Sequence, residues 1–307
     1  MKTTHFSIRF AFTFAFLLIC CFTAQAQSRV FVSGVGSDTN PCTRTAPCRT
    51  FQQAHNVVSS GGEVVALDPA GFGQLTITKS ISIIGDGVYS GISASSGNGV
   101  TIATTSITVT LRSLIIDGLG SGTNGISATD FSVLHIENCI VNGFTDIGIR
   151  VDPSAVGTRK VFIKDSISRN NGSRGISLSN GSGTALLATV EGTRTENNVS
   201  IGLVVNGSGS RVTARGCLSS GNSTVGFMSF SGVLNIESSV ASNNGEDGIA
   251  TFSGTVRVST STATNNTLFG FTNSGGGTFE SRGNNTVVGN NGGGAQTFGT
   301  ITPIAGT

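Results

Sequence analysis

The stretch SRNNGSRGISLSN, from Ser168 to Asn180, contains a pattern that returns along the chain: an Asn, three variable residues, a Gly and a large apolar residue. The Gly and apolar pair occurs at Gly125-Ile126, Gly148-Ile149, Gly175-Ile176, Gly202-Leu203, Gly226-Phe227, Gly248-Ile249 and Gly270-Phe271. Successive pairs are 23, 27, 27, 24, 22 and 22 residues apart. Repeats of this length with short alternating apolar runs indicate a solenoid of stacked coils rather than a sandwich.

Asparagine stands four residues before the Gly in six consecutive repeats, the last of which has Gly294 in the Gly position. Neighbouring coils lie about 4.8 Å apart, so residues at one corner stack above one another. An amide both donates and accepts, which lets each Asn bond the Asn above and below it. We therefore predict a structural Asn ladder at one corner of the coils. Its members are Asn171, Asn198, Asn222, Asn244, Asn266 and Asn290.

A second run of each repeat has apolar residues fourteen and twelve positions before the Gly, alternating with polar residues. This alternation predicts a strand with one face buried. Cys139 and Cys217 both fall nine positions before a Gly and are three coils apart, about 14 Å at the coil spacing. A disulfide needs Cα atoms within about 7 Å. We expect two buried thiols.

The N-terminal residues 1–26 have the pattern of an export signal. Lys2 and Arg9 precede an apolar run from Phe10 to Phe22, and Ala24-Gln25-Ala26 forms a cleavage site before Gln27. The apolar run is shorter than the roughly 20 residues that a membrane-spanning helix needs. We expect a mature chain without a membrane span, secreted or periplasmic after cleavage of this signal.

The charge of the expected mature chain argues against nucleic acid as a partner. Removing the two basic residues of the signal leaves 16 Lys and Arg against 16 Asp and Glu. A neutral chain without a Lys/Arg run offers little to a phosphate backbone. We expect a monomer whose partner, if it has one, is a polysaccharide or a cell-surface component.

The segment from Thr50 to Ser60 predicts a short helix that covers the N-terminal end of the solenoid. Thr50 is an N-cap residue with Gln53 three positions later, a capping box, and Gly61-Gly62 would end the helix. Its apolar face consists of Phe51, Ala54, Val57 and Val58.

Two cysteines precede this helix. Cys42 and Cys48 are six positions apart, and in an exported protein we expect them to form a local disulfide. The alternative is half of a zinc site, which lacks a second pair of cysteines or a His cluster nearby in the sequence.

The run RVFVSGVGSDTNPCTRTAPCRTFQQA, followed by GGEVVALDPAGFGQLTITKSISIIGDG, resembles the opening of secreted bacterial right-handed parallel β-helix proteins of the pectin-lyase-like superfamily, and within it an uncharacterised group. This resemblance implies an all-β fold: a single right-handed, three-sheet parallel β-helix with an N-terminal capping helix. It implies no activity, because one fold supports many functions. The expected segments are a signal peptide at 1–26, a cap at 27–62, the β-helix at 63–298 and a tail at 299–307.

The carboxylates are the first candidates for catalytic residues. Pectate-lyase-like enzymes use a calcium-binding Asp/Glu cluster with a nearby Arg as base, and Asp130, Asp152 and Arg150 could imitate it if they shared one face of adjacent coils. The same positions continue as Asn180 and Asn206, so we favour a column of turn residues. Calcium is expected only under this lyase alternative, and otherwise we expect no cofactor and no metal site.

Aromatic and histidine residues give a further, weaker indication. Uronan epimerases of this fold use a His/Tyr pair, but after the signal the chain has only His55, His135 and Tyr89. Phe230 and Phe252 stand at matching positions of neighbouring coils and form a candidate contact patch. We therefore predict a non-catalytic scaffold or an adhesive, carbohydrate-binding module, with a degenerate or divergent lyase of acidic glycans as the alternative.

Overall fold

The computed structural model describes residues 27–291 and 293–305. These residues form a parallel β-solenoid of about 10 turns with one helix, α1 (Phe51–Val57), so the all-β solenoid expected from the repeat is confirmed. The strands form three sheets, A, B and C, and are numbered here in chain order. Within these residues, α1 is neither long nor apolar enough to span a bilayer.

Sheet A has twelve strands and contains the longest ones. In spatial order they are β1 (Gln27–Val32), β2 (Val58–Ala66), β5 (Ile81–Ile84), β8 (Thr108–Arg112), β11 (Val133–Glu137), β14 (Gly157–Lys164), β17 (Thr184–Glu191), β20 (Ser210–Arg215), β23 (Val233–Glu237), β26 (Thr255–Ser259), β29 (Thr278–Arg282) and β32 (Thr302–Ile304).

Sheet B has ten short strands. They are β3 (Ala70–Gly71), β6 (Ser90–Ser93), β9 (Leu114–Asp117), β12 (Ile140–Asn142), β15 (Ile167–Arg169), β18 (Arg194–Glu196), β21 (Leu218–Ser220), β24 (Val240–Ser242), β27 (Thr262–Thr264) and β30 (Thr286–Val288).

Sheet C also has ten strands, and each begins one residue after the Gly where the repeat has one. They are β4 (Leu75–Ile77), β7 (Val100–Ala103), β10 (Ile126–Asp130), β13 (Ile149–Val151), β16 (Ile176–Leu178), β19 (Leu203–Val205), β22 (Phe227–Ser229), β25 (Ile249–Thr251), β28 (Phe271–Asn273) and β31 (Thr297–Phe298).

In six consecutive coils the turn from sheet A to sheet B is two residues long. Its first residue has a left-handed backbone conformation, which every residue but Gly adopts at a cost and which bends the chain sharply. These residues are Asn138, Asp165, Gly192, Gly216, Ser238 and Thr260. The second residue is small and buried, and this column includes Cys139 and Cys217. Both thiols are unbonded and buried, as expected, and burial raises their pKa to about 12 and about 11.

The core fills the space enclosed by the three sheets. The residues fourteen positions before the repeat Gly, predicted to point inward, are all buried and lie opposite one another in sheet A. These residues are Leu134, Val161, Ala188, Val212, Leu234 and Val256. Alternation along the sequence therefore identified the inner face of this sheet.

The N-terminal end differs from the expectation in the length of the helix. The Thr50 side chain accepts a hydrogen bond from the Gln53 backbone, as an N-cap should, but α1 ends at Val57. Val58 already begins β2, which pairs with β1 and includes Gly61-Gly62. A β-branched residue in a sheet pairing is favoured over a last helical turn. The disulfide between Cys42 and Cys48 is confirmed, with Cα atoms 4.6 Å apart.

The boundaries of the solenoid also differ from those expected. Strand β1 lies in the predicted cap segment 27–62 and β32 in the predicted tail 299–307, yet both are strands of sheet A. The expected limits of 63–298 are therefore too narrow at both ends. The predicted signal at 1–26 lies outside the described residues. Strand β32 is an edge strand and contains Pro303, which has no N–H to offer a further strand.

Candidate functional site

The six ladder asparagines form one continuous chain of buried hydrogen bonds. Each Nδ2 donates to the Oδ1 of the next Asn, at 2.8 to 3.1 Å. The backbone N–H of each also donates to that same Oδ1. Gln296 ends the series, because its Oε1 accepts from Asn290. These side chains face the core, so the ladder is structural, and Gln296 is a member that the repeat spacing did not identify.

The candidate catalytic residues do not form one cluster. Asp130 is buried, and its Oδ1 accepts from the Arg159 Nε at 2.9 Å and from the Phe131 backbone at 2.9 Å. The expectation that Asp130 shares a face with Asp152 is therefore wrong. The cause is a difference of one position: Asp130 is five residues after Gly125, whereas Asp152 is four after Gly148, so the regular pairing of β10 with β13 brings Thr129 and not Asp130 beside Asp152.

Arg150 and Asp152 lie together on the outer side of sheet C. The Arg150 Nη2 is 3.0 Å from the Asp152 Oδ2, and both side chains are half-exposed. They line a depression of about 470 Å³ whose other polar members include Asp146, Arg174 and Asn206. Asp130 does not line this depression.

The depression lies on the outer face of sheet C, along which three columns of residues run from coil to coil. The middle column, called here the floor, is the middle, outward-facing residue of each strand, and backbone pairing places these residues side by side along the solenoid. The floor residues are Ser127, Arg150, Ser177, Val204, Met228, Ala250 and Thr272.

Two walls flank this floor. The first wall is the residue just before each repeat Gly: Asn124, Ile147, Arg174, Ile201, Val225, Asp247 and Phe269. The second wall is the residue that follows each sheet C strand: Asp152, Ser179, Asn206, Phe230, Phe252 and Ser274. Backbone hydrogen bonds between adjacent coils fix both columns in register. We call the three columns together the sheet C groove.

The groove changes character along its length. Its middle coils are charged and polar, whereas the following coils are apolar, with a cluster of buried residues on the outer face. This cluster comprises Ile201, Val204, Val225 and Ala250, with Met228 and Phe230 packed against it. The Phe230 and Phe252 rings lie 6.3 Å apart, and Phe252 is 49% exposed. The contact patch proposed from their matching positions therefore lies on one wall of the groove.

Asp247 is a carboxyl group within the apolar part of the first wall. Its Oδ1 accepts from the Phe269 backbone at 3.1 Å, and burial raises the pKa of this carboxyl group above its usual value. The signal that could have found it is its place in the column before the Gly, where neighbouring repeats have Val225 and Phe269.

Other titratable residues lie away from the groove. His135 projects from the outer face of sheet A, where its ring stacks on Phe162 with centroids 4.8 Å apart. His55 is buried on α1, and its Nε2 accepts from the Thr78 backbone. Among residues 27–291 and 293–305, no three His, Cys, Asp or Glu side chains are placed to share a metal ion. The absence of a cofactor stays a prediction.

Comparison with known proteins identifies relatives of the fold. Residues 98–292 match the family model described as "Right handed beta helix region". The solved structure of pectate lyase Pel9A is similar, with a TM-score of 0.55 and 16% identity over 92% of this chain and 80% of that one. The A-module of the Azotobacter vinelandii mannuronan C-5 epimerase AlgE4 is also similar, with a TM-score of 0.54 and 14% identity over 79% of this chain and 86% of that one. No curated protein matches. At identities this low, the structural similarity shows a shared fold and no more than that.

Proposed function

Because the chain belongs to the right-handed β-helix family, we propose that it is an exported, non-catalytic module that binds a polysaccharide through the sheet C groove. One observation supports this most directly: the second wall runs from a polar depression to a pair of phenylalanines, of which Phe252 is half exposed and Phe230 partly buried. Binding sites for small molecules and polymers commonly combine apolar surface with a few placed polar groups.

The similar structures support a carbohydrate ligand. Two of them are a pectate lyase and a mannuronan C-5 epimerase, enzymes that act on polysaccharides. Since their identity to this chain is low, we extend to it the class of ligand and not the reaction. The disulfide of the N-terminal segment supports export, because such bonds persist in oxidising compartments. We place the protein at the cell surface, in the periplasm or in a matrix, as a monomer.

The ion pairs support binding rather than catalysis. A general base or acid must be available to exchange a proton with the substrate. The Asp130 carboxylate is bonded to Arg159 in the interior, and Asp152 is paired with Arg150. The one feature in favour of a divergent lyase is that Arg150, Asp152 and Arg174 line the same depression.

The experiment is a binding titration of the purified protein against a panel of soluble polysaccharides, followed by calorimetry. The groove variant is Arg174→Ala and the matched control is Arg211→Ala, because Arg211 is exposed on the outer face of sheet A. A hydrogen bond from a charged donor contributes about 1.5–3 kcal/mol, so Arg174→Ala should weaken binding by roughly tenfold or more. The control should bind as the unaltered protein does.

Two outcomes would contradict this proposal. Equal effects of Arg174→Ala and Arg211→Ala would place the ligand outside the groove. A rise in ultraviolet absorbance from an unsaturated product, with pectate, pectin or alginate and dependent on calcium, would support the lyase alternative if Arg150→Ala abolished it.

A further inference from the structure

The sheet C groove also indicates which class of polysaccharide it binds. Resting on the function proposed above, we infer that the ligand is a neutral polysaccharide that lies along the solenoid axis, with one sugar stacked on the Phe252 ring.

The charge of the groove disfavours a polyuronate. Two arginines, Arg150 and Arg174, line its polar part, against the carboxylates of Asp146 and Asp152 in the same depression. Arg150 is paired with Asp152, and Arg174 forms no ion pair in the described part of the chain. Asp247 adds a further acidic group in the first wall. Like charges placed close together at an interface cost several kcal/mol. A polysaccharide with one carboxylate per sugar would place its charges beside these carboxylates, and the groove has no excess of cations to compensate.

The remaining polar groups suit hydroxyl groups. Asn206 and Ser179 continue the second wall between Asp152 and the two phenylalanines, and Asn180 lines the same depression. Amides, carboxylates and guanidinium groups together offer both donors and acceptors, which a sugar hydroxyl can satisfy in either role. A neutral sugar therefore needs no counter-charge to bind here.

The aromatic end of the wall supplies the apolar contact. Phe252 presents half of its surface to solvent, and Phe230 supports it from the neighbouring coil. A flat aromatic ring buries a large apolar area at small entropic cost, and the C–H face of a pyranose is a suitable partner. Val204 and Ala250 are buried in the cluster on which Phe230 packs, so they support the aromatic pair and Phe252 supplies the accessible apolar surface.

The direction of the ligand follows from the columns. Asp152 and Phe252 belong to the same wall and are four coils apart, about 19 Å at the coil spacing. Only a chain of several sugars that runs along the axis can contact both ends. Affinity should therefore rise with the length of an oligosaccharide until it spans this distance.

The test is a calorimetric titration of the purified protein with xylan, galactomannan and mixed-linkage glucan as neutral probes, and with polygalacturonate and alginate as acidic probes. We expect binding to at least one neutral probe and none to the acidic ones. Phe252→Ala should weaken that binding at least tenfold. Phe162→Ala, which truncates a similarly exposed ring on the outer face of sheet A, should leave it unchanged. Thermal unfolding of both variants controls for folding.

The outcomes separate this inference from the function on which it rests. Binding of an acidic probe that Phe252→Ala or Arg174→Ala weakens would overturn the neutral class and leave the groove as a binding site. Binding of a neutral probe that Phe252→Ala does not change would overturn the stacking contact. No binding of any of the five probes would refute both the inference and the proposed function.

Discussion

Replacing Asn244 by Ala tests whether the ladder stabilises the solenoid. Asn244 is 1% exposed, and its Nδ2 donates to the Asn266 Oδ1 and the Ser219 carbonyl. Its Oδ1 accepts from both the backbone N–H and the Nδ2 of Asn222. The substitution removes all four hydrogen bonds while leaving the strands on either side unchanged in sequence.

The magnitude follows from the groups that are left without a partner. Asn222 Nδ2 keeps the Thr195 carbonyl and the Ser219 hydroxyl, and Asn266 Oδ1 keeps the backbone N–H of residue 244. The Asn222 backbone N–H loses its acceptor, and an unsatisfied buried group costs about 1–3 kcal/mol. With about 1 kcal/mol for the other bonds lost, we expect a decrease of about 2–4 kcal/mol in the free energy of unfolding.

Urea unfolding followed by circular dichroism measures this difference. The matched control is Asn235→Ala, in the same coil on the outer face of sheet A, which should change the free energy by less than about 0.5 kcal/mol. Asn273 lies off the ladder but is an unsuitable control, because its Nδ2 donates to the Gly277 and Thr300 carbonyls. A similar loss at Asn244 and Asn235 would refute the reasoning.

Two further predictions concern buried groups. In protein lacking residues 1–26, alkylation under denaturing, non-reducing conditions should label two thiols, Cys139 and Cys217, and four labels would show that the disulfide does not form. The second concerns His55, whose pKa is lowered from 6.5 by burial, with Lys79 nearby acting in the same direction. As the pH falls, His55 is protonated in the unfolded state before it is protonated in the folded state. The free energy of unfolding should therefore have its full value above about pH 6.5 and decrease below it, as the contact with Thr78 is lost. His55→Gln should reduce this decline in urea titrations, and an unchanged pH profile would contradict it.

The sequence predicted features that depend on the repeat itself. The interval between glycines identified the coils, and the constant offset of Asn171 and its counterparts identified a corner. Phe230 and Phe252 were matched for the same reason, since a fixed offset from the Gly places residues in one column.

Two errors of prediction have different causes. Asp130 was matched with Asp152 although it is five residues after Gly125 and Asp152 is four after Gly148, so the spacing already separated their columns. The end of α1 depends on the pairing of β2 with β1, a contact between segments distant in sequence. The three columns of the groove stand at fixed offsets from the repeat Gly, one residue before it and two and four residues after it, so the sequence could have aligned them. What the repeat did not show is which polar and apolar residues of these columns are exposed on the outer face of sheet C.

The closure of the ladder by Gln296 has a consequence for how this protein could change its length. Each internal Asn requires only another Asn at the same position of the next coil, so internal coils are interchangeable in this respect. Removing residues 222–243 would bring Asn244 to the place of Asn222 and leave the terminal pair of Asn290 and Gln296 intact. Whole coils can therefore be lost or duplicated inside the stack without a change to the terminal pair of the ladder. The sheet C groove would become shorter or longer by one coil each time.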